Sequence, residues 1–455
     1  MLIPFASQHS CCDQIRRRDF LKVGALPGIG MGLSDFLRHQ ASGSVSSEAP
    51  AKSVILLYMG GGASQIDSFD PKPLAPAEFR GPFNTISTDL PGIQVTEHLP
   101  QMSQQLKNMA LIRSVQHVQS EHQQAAHYML TGWMPSRVVF KNEHPSLGSV
   151  VVEEIGDQRN LPPYVVIRDP ATFVNRHHGA AFLKTRCEPL QLKVPFKATD
   201  IAPPPNMARM VSGLDVARAE KRRKLMTIYE QIQRKRETWA EQGMDQQDHY
   251  FDKAFNIVTS SRAVSAFDLN LEPDRVRDRY GRTLLGQACL MARRLVDAGV
   301  LFVTISRGGW DTHKNNFSLL KNELLPDLDQ AMSALLEDLD QCGLLDSTLV
   351  IWSGEFGRTP NINKDVGRDH WPSVMTMGLA GGGIQGGQVI GQTDQRSAFP
   401  TDRLLTPEDI WATLYHQLGI DWSRRYEVPR SFEFNSVPAT VPILPYGTPI
   451  RELFS

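Results

Sequence analysis

Four stretches of this chain are apolar and β-rich at successive positions rather than alternate ones: residues 53–59 (SVILLYM), 162–167 (PPYVVI), 300–306 (VLFVTIS) and 348–352 (TLVIW). Unbroken apolar runs of this length are the pattern of strands buried on both faces of a parallel sheet. Residues 110–114 add a further short strand. Helical spacing takes over between them. Residues 274–299 place Leu284, Leu285, Cys289, Ala292 and Leu295 on one stripe, and residues 318–341 do the same with Leu324, Leu328, Met332, Leu335 and Leu339 before Gly343 as a stop. Strand 300–306, helix 318–341 and strand 348–352 then form a strand–helix–strand unit, whose right-handed crossover makes its two strands parallel. The predicted class is α/β. Residues 207–240 also have helical character, with basic runs at 221–224 and 235–236 interleaved with acids, which reads as a solvated face rather than a polyanion site.

Polar loops follow these strands, and in open α/β sheets that edge is where ligands bind. After residues 53–59 come three glycines with Ser64 and Gln65, then Asp67 and Asp70. The glycines match neither a dinucleotide fingerprint nor a P-loop, so the loop, Ser64 included, is only a candidate anion cradle. After residues 300–306, Asp311 and His313 stand two apart, so on extended backbone they share a face and can converge on one divalent ion. After residues 348–352 come Glu355 and Arg358, and then residues 367–372 with Arg368 and His370. Because the two strands are parallel, Glu355 is expected to face the pocket of Asp311 and His313, its carboxylate within about 8 Å of Asp311, a span that a metal or Arg358 can close. His117, Ser120, His122 and His127 follow residues 110–114. A spacing of five makes His122 and His127 a poor helical chelate, which leaves this stretch either part of the site or a polar helix over the pocket. His177 and His178 are adjacent and read as surface residues.

With 455 residues, 41% hydrophobic and 21% charged, the chain can bury one large core with insertions or two domains. A net charge of −1 and a pI near 6.9 give no electrostatic footprint for nucleic acid, and no run reaches the ~20 apolar residues of a stable transmembrane anchor. The five cysteines show no metal-binding spacing, and Cys289 and Cys342 read as buried thiols. At the front, Arg17 and Arg18 with Asp19, Phe20, Leu21 and Lys22, followed by small and apolar residues 23–33, resemble a bacterial twin-arginine export signal. Residues 1–51 are therefore expected to be signal and linker, and residues 52–455 the folded domain, with a helical insertion near 203–280 and a periplasmic or exported destination.

The segments GGASQIDSFDPKP, HxxxxHxMLTG, GGWDTH, LLDSTLVIWSGEFGRTP, GRDHWP and LAGGGIQGGQVIGQTD together resemble an exported, largely uncharacterised bacterial family of the alkaline phosphatase and sulfatase superfamily. The resemblance implies a mostly parallel central sheet flanked by helices, with one or two divalent metals at the strands' carboxyl ends that act on phosphate or sulfate esters of small molecules or polysaccharides. It assigns Asp311, His313 and His370 to one metal, zinc by donor type with manganese or calcium as rivals, and offers Asp67 or Asp70 as substitute for an acid missing after the first strand. Phe356 stands where a ligand histidine belongs, which puts a second metal in doubt. The nucleophile position falls near His122, with Ser120 the nearest hydroxyl, and no sulfatase C/S-x-P-x-R motif is present. Glu355 is then ligand or base, Arg358 and Arg368 oxyanion clamps, and Ser64 and His127 substrate contacts. Two classes of function follow: a metal-dependent hydrolase, or an anion- or partner-binding protein without turnover.

Overall fold

The run Ser53–Met59 (β1) is buried at every position because it lies in the middle of a sheet with a parallel neighbour on each side, Phe302–Arg307 (β5) and Thr348–Gly354 (β6). Between them in the chain come Met109–Val115 (β2), Tyr164–Arg168 (β3) and Leu190–Lys193 (β4); Met375–Ala380 (β7) and Gln388–Ile390 (β8) follow. The eight strands lie in the order β8-β2-β7-β6-β1-β5-β3-β4. All pairings are parallel except those of β7, which runs against both β6 and β2. This computed structural model describes residues 48–454 apart from 137–140, 157–160, 169–176, 195–200, 202–260, 431 and 433–436. The described residues belong to one compact unit, Val45–Ser455. Arg17 and Arg18, the basic runs and most of the expected insertion lie outside the described residues.

Alternation along the strands separates two cores. Ile55, Leu57, Met59, Val303 and Ile305 face one side, where they meet the helices Leu284–Ala298 (α3) and Leu325–Gln341 (α4) through Leu285, Leu295 and Leu335. Val54, Leu56, Tyr58 and Leu349 face the other, against His122–Thr131 (α1), Leu147–Ile155 (α2) and Pro407–Gln417 (α5) through Met129, Val151, Trp411 and Leu414. Each apolar run is thus covered on both faces, as its lack of alternation predicts. The mostly parallel sheet flanked by helices agrees with the fold class expected from the sequence.

Several local expectations change. The helical stretch 274–299 is two helices, Asp274–Tyr280 and α3, because Gly281 adopts φ +90° and Thr283 caps α3 by accepting the Gly286 N–H at 3.1 Å. The helix expected over 318–341 begins with the turn Asn316–Leu319 and passes through a π-helical turn, Leu320–Leu324, before α4. His177 and His178 are buried, not on the surface, and Cys342 is exposed while Cys289 is buried, both as free thiols. Among the described residues no helix is long and apolar enough to cross a membrane.

Candidate metal centre

Met59 of β1 lies level with Arg307 of β5 and Gly354 of β6, so the loops after all three strands leave the same edge. They are pressed together. Gly61 adopts φ +115°, and a Cβ there would lie 2.2 Å from the Asp311 backbone nitrogen; its N–H donates to Glu355 Oε1 at 2.7 Å. Only glycine permits both the turn and the approach. The loop 359–369 is seated as closely, since a Cβ on Gly367 would lie 1.9 Å from the His313 carbonyl oxygen. Two further elements reach this edge. Antiparallel β7 starts here, so His370, just before it and paired with Arg358 across a short ladder, arrives beside Asp311. Strand β2 ends here as well, and α1 follows with His122 as its first residue.

Three imidazoles surround the Asp311 carboxylate. His313 Nε2 is 3.1 Å and His370 Nε2 3.2 Å from Oδ1, and His122 Nε2 is 3.3 Å from Oδ2. The other nitrogen of each ring has an oxygen acceptor: Nδ1 of His122 meets Glu355 Oε1 at 3.0 Å, Nδ1 of His313 meets Asp369 Oδ1 at 2.6 Å, and Nδ1 of His370 meets the Ser120 carbonyl at 2.7 Å. An acceptor on Nδ1 fixes each ring so that Nε2 faces Asp311, where it donates to the carboxylate while protonated and presents its lone pair once that proton is displaced; this is how histidine ligands are oriented around metals. His313 Nε2 and His370 Nε2 stand only 2.9 Å apart. Two lone pairs cannot face each other at that distance without a proton or a cation between them. Donors bound at 2.0–2.1 Å in a tetrahedron lie about 3.3–3.4 Å apart, so the three edges among Asp311, His313 and His370 are near those of a filled site. His122, Asp311 and His370 also form a group able to hold a metal ion. The donors fit a borderline divalent cation.

The electrostatics are those of a site short of positive charge. Burial alone would raise the Asp311 carboxyl, but hydrogen bonds with His122, His370 and Arg358 outweigh it and hold the group well below the usual carboxylate range. Burial opposes charge on His122, yet Asp311 and Glu355 on its two nitrogens raise it to about 9. Glu355 is fully buried, and its expected approach to Asp311 takes the form of a shared imidazole. His117 supports it from beneath, with Nε2 2.7 Å from the Glu355 carbonyl. Phe356 packs its ring against His370 at 4.4 Å and His122 at 5.2 Å, an apolar wall where a second site would need a ligand.

Other candidates lie elsewhere or do something else. Arg358 is fully buried and donates to the carbonyls of Gly61, Gly62, Trp310 and Arg368 and, at 2.7 Å, to Asp311 Oδ1. With its donors engaged, it orients Asp311 instead of clamping a ligand's oxygens. Arg368, also fully buried, binds both oxygens of Asp67 at 2.7 and 2.9 Å and the carbonyls of Phe79, Thr359 and Pro360. That pair removes Asp67 from the metal set and Arg368 from the clamps. Ser64 donates to Asp67 Oδ2 at 2.7 Å, so it too is part of the loop's scaffold. His127 is turned from the centre because five residues at 100° each place it about 140° around α1 from His122. There its Nδ1 meets the Trp133 carbonyl at 2.9 Å and its Nε2 accepts the Glu143 N–H at 3.1 Å, so it cannot bind substrate at this site. Ser120 is exposed; its carbonyl holds His370, while among the described residues its hydroxyl has no hydrogen bond. Asp369 was missed as a site residue, although its place between Arg368 and His370 marked it as a carboxylate able to orient a histidine.

Comparison with solved structures gives similarity at low identity. The chain is similar to the lipoteichoic acid synthase LtaP from Listeria monocytogenes, with 11% identity over 83% of this chain and 76% of that one and a TM-score of 0.39. It is similar to a protein in the alkaline phosphatase superfamily from Vibrio parahaemolyticus, with 11% identity, coverages of 83% and 69% and a TM-score of 0.39. It is also similar to the zinc complex of the C-terminal periplasmic domain of EcEptC from Escherichia coli, with 10% identity, coverages of 89% and 97% and a TM-score of 0.39. No curated protein matches the sequence. Residues 51–437 match the family described as "Protein of unknown function (DUF1501)", which takes in β1, α1 and all the residues around Asp311, and the chain belongs to that family.

Proposed function

We propose that this chain is an exported hydrolase of phosphate or sulfate monoesters that works with one divalent metal ion, zinc by donor type, held by Asp311, His313 and His370 with His122 on the second carboxylate oxygen. The observation that carries this reading is the set of three Nε2 atoms turned toward one carboxylate by three separate acceptors on Nδ1. Such an ion, when bound, supplies Lewis-acid stabilisation of charge on ester oxygens. The protein's part is to orient and to shield. Glu355 keeps the His122 proton on Nδ1, Asp369 does the same for His313, and Arg358 fixes Asp311. Asp311 and His313 keep 43% and 39% of their side-chain surface open, so an ester can approach from solvent. Export rests on Arg17 and Arg18.

The test is metal content with turnover. The full chain should purify with about one zinc per molecule, and His313→Ala and His370→Ala should each lose it. Aryl phosphates and aryl sulfates should be hydrolysed by loaded protein and not after chelation. Equal activity in stripped and loaded protein rules out the Lewis-acid reading. A loaded protein that turns over neither ester leaves an anion-binding protein, a reading favoured by Ser120, whose hydroxyl has no hydrogen-bonded base to activate it among the described residues.

A further inference from the structure

Beside the centre, sharing Asp369 with it, lies a cavity of about 330 Å³ whose lining includes Phe79, Asn361, Asp369, Trp371, Arg396 and Phe399. That volume is at the small end for ligand pockets and suits a single ring. Its walls combine flat apolar faces with polar groups that have work left to do. Trp371 meets Phe399 edge to face at 5.5 Å and donates its indole N–H to the Ala398 carbonyl at 2.6 Å, which fixes the wall next to His370. Asp369 uses Oδ1 for His313 and Asn363; among the described residues its Oδ2 and the Asn361 side-chain amide carry no hydrogen bond.

Arg396 is the cation of this pocket. Its guanidinium lies over the Phe79 ring at 4.4 Å, which holds the side chain in place, and among the described residues it makes no ion pair. Arg358 and Arg368, by contrast, have their donors engaged within the protein. A ready guanidinium recognises a carboxylate or sulfate through paired N–H bonds. Aromatic faces with a free carboxylate oxygen and an amide suit a ring that is apolar on its faces and hydroxylated at its edge.

We propose that this pocket is the binding subsite next to the metal centre, and that it takes one sugar ring bearing an anionic group, carboxylate or sulfate, with Arg396 as the partner of that group. The subsite rests on the hydrolase reading only in naming the ring as part of the substrate; the binding does not require turnover.

Binding is therefore measured by calorimetry on the full, metal-loaded chain, with glucuronic acid, glucose 6-sulfate and glucose as probes. One of the two acids should bind at least about tenfold more tightly than glucose, the worth of one charge-assisted contact, and which acid does so identifies the group. Arg396→Ala should erase that difference with metal content unchanged, Arg396→Lys should restore part of it, and Phe399→Ala should weaken all binding. Equal affinity for acids and glucose, or an acid preference that survives Arg396→Ala, overturns the proposal, as does the absence of binding by any of the three. Turnover of an aryl phosphate is read separately: a protein that binds the acid but hydrolyses no ester sinks the hydrolase and leaves the subsite standing.

Discussion

Replacing Arg358 by lysine separates a structural arginine from an anion clamp. Arg358 meets five acceptors: the carbonyls of Gly61, Gly62, Trp310 and Arg368, and Asp311 Oδ1. Lysine keeps the charge but has three donors on a single nitrogen, so at least two of these buried acceptors lose their partner. At about 1–3 kcal/mol for each unsatisfied group, the loss is about 2–6 kcal/mol. Unfolding entropy for a domain of about 400 residues converts this to a fall of about 2–7 °C in Tm. The measurement is thermal and urea unfolding of chelator-treated Arg358→Lys beside treated wild type, because a metal that binds only the folded state would otherwise mix its own affinity into the result. The loaded variant should also hold metal less tightly, since Asp311 loses its 2.7 Å partner. If Arg358→Lys keeps the wild-type Tm and urea midpoint while turnover collapses, the residue acts on substrate and the assignment of its donors to the protein's own carbonyls is wrong.

Three further outcomes are expected. Ser120→Ala keeps the backbone carbonyl that holds His370, so activity should stay within about tenfold of wild type, below the roughly hundredfold that is the least a catalytic group supplies; a complete loss would make Ser120 the nucleophile. Burial lowers His117 and His127 to about 4 and His144 and His178 to about 3. The unfolded chain therefore takes up these protons first, and the stability they contribute is complete above about pH 6.5 and lost as pH falls from there through 4 and 3, at up to about 1.4 kcal/mol per unit for each histidine. Urea midpoints should fall between pH 7 and 5, and a flat profile would contradict the burial of these rings. Changing Arg17 and Arg18 to lysine should leave the protein in the cytoplasm on fractionation, whereas continued export would remove the twin-arginine reading.

The strands and the convergence of Asp311 with His313 could be read from the sequence because each depends on local spacing, whereas His370 entered only through the family resemblance. An unbroken apolar run such as SVILLYM has no polar face to turn to water, so it belongs inside a sheet, and the i, i+2 spacing of Asp311 and His313 puts both on one side of an extended segment. The roles of the charged residues could not be read this way. Arg358, Arg368, Asp67 and Ser64 carry the chemistry of a clamp or a ligand, but whether such a group faces a substrate or a neighbouring loop depends on partners up to about 300 positions away in the chain, as for Asp67 and Arg368. The same holds for His122 and Asp369. Residue types and short spacings determined which groups were able to bind a metal and which runs had to be buried. Only the packing of loops from β1, β5 and β6, the start of α1 after β2 and the start of β7 at one edge decided which of them converge, because hydrogen bonds and desolvation act between groups that meet in space.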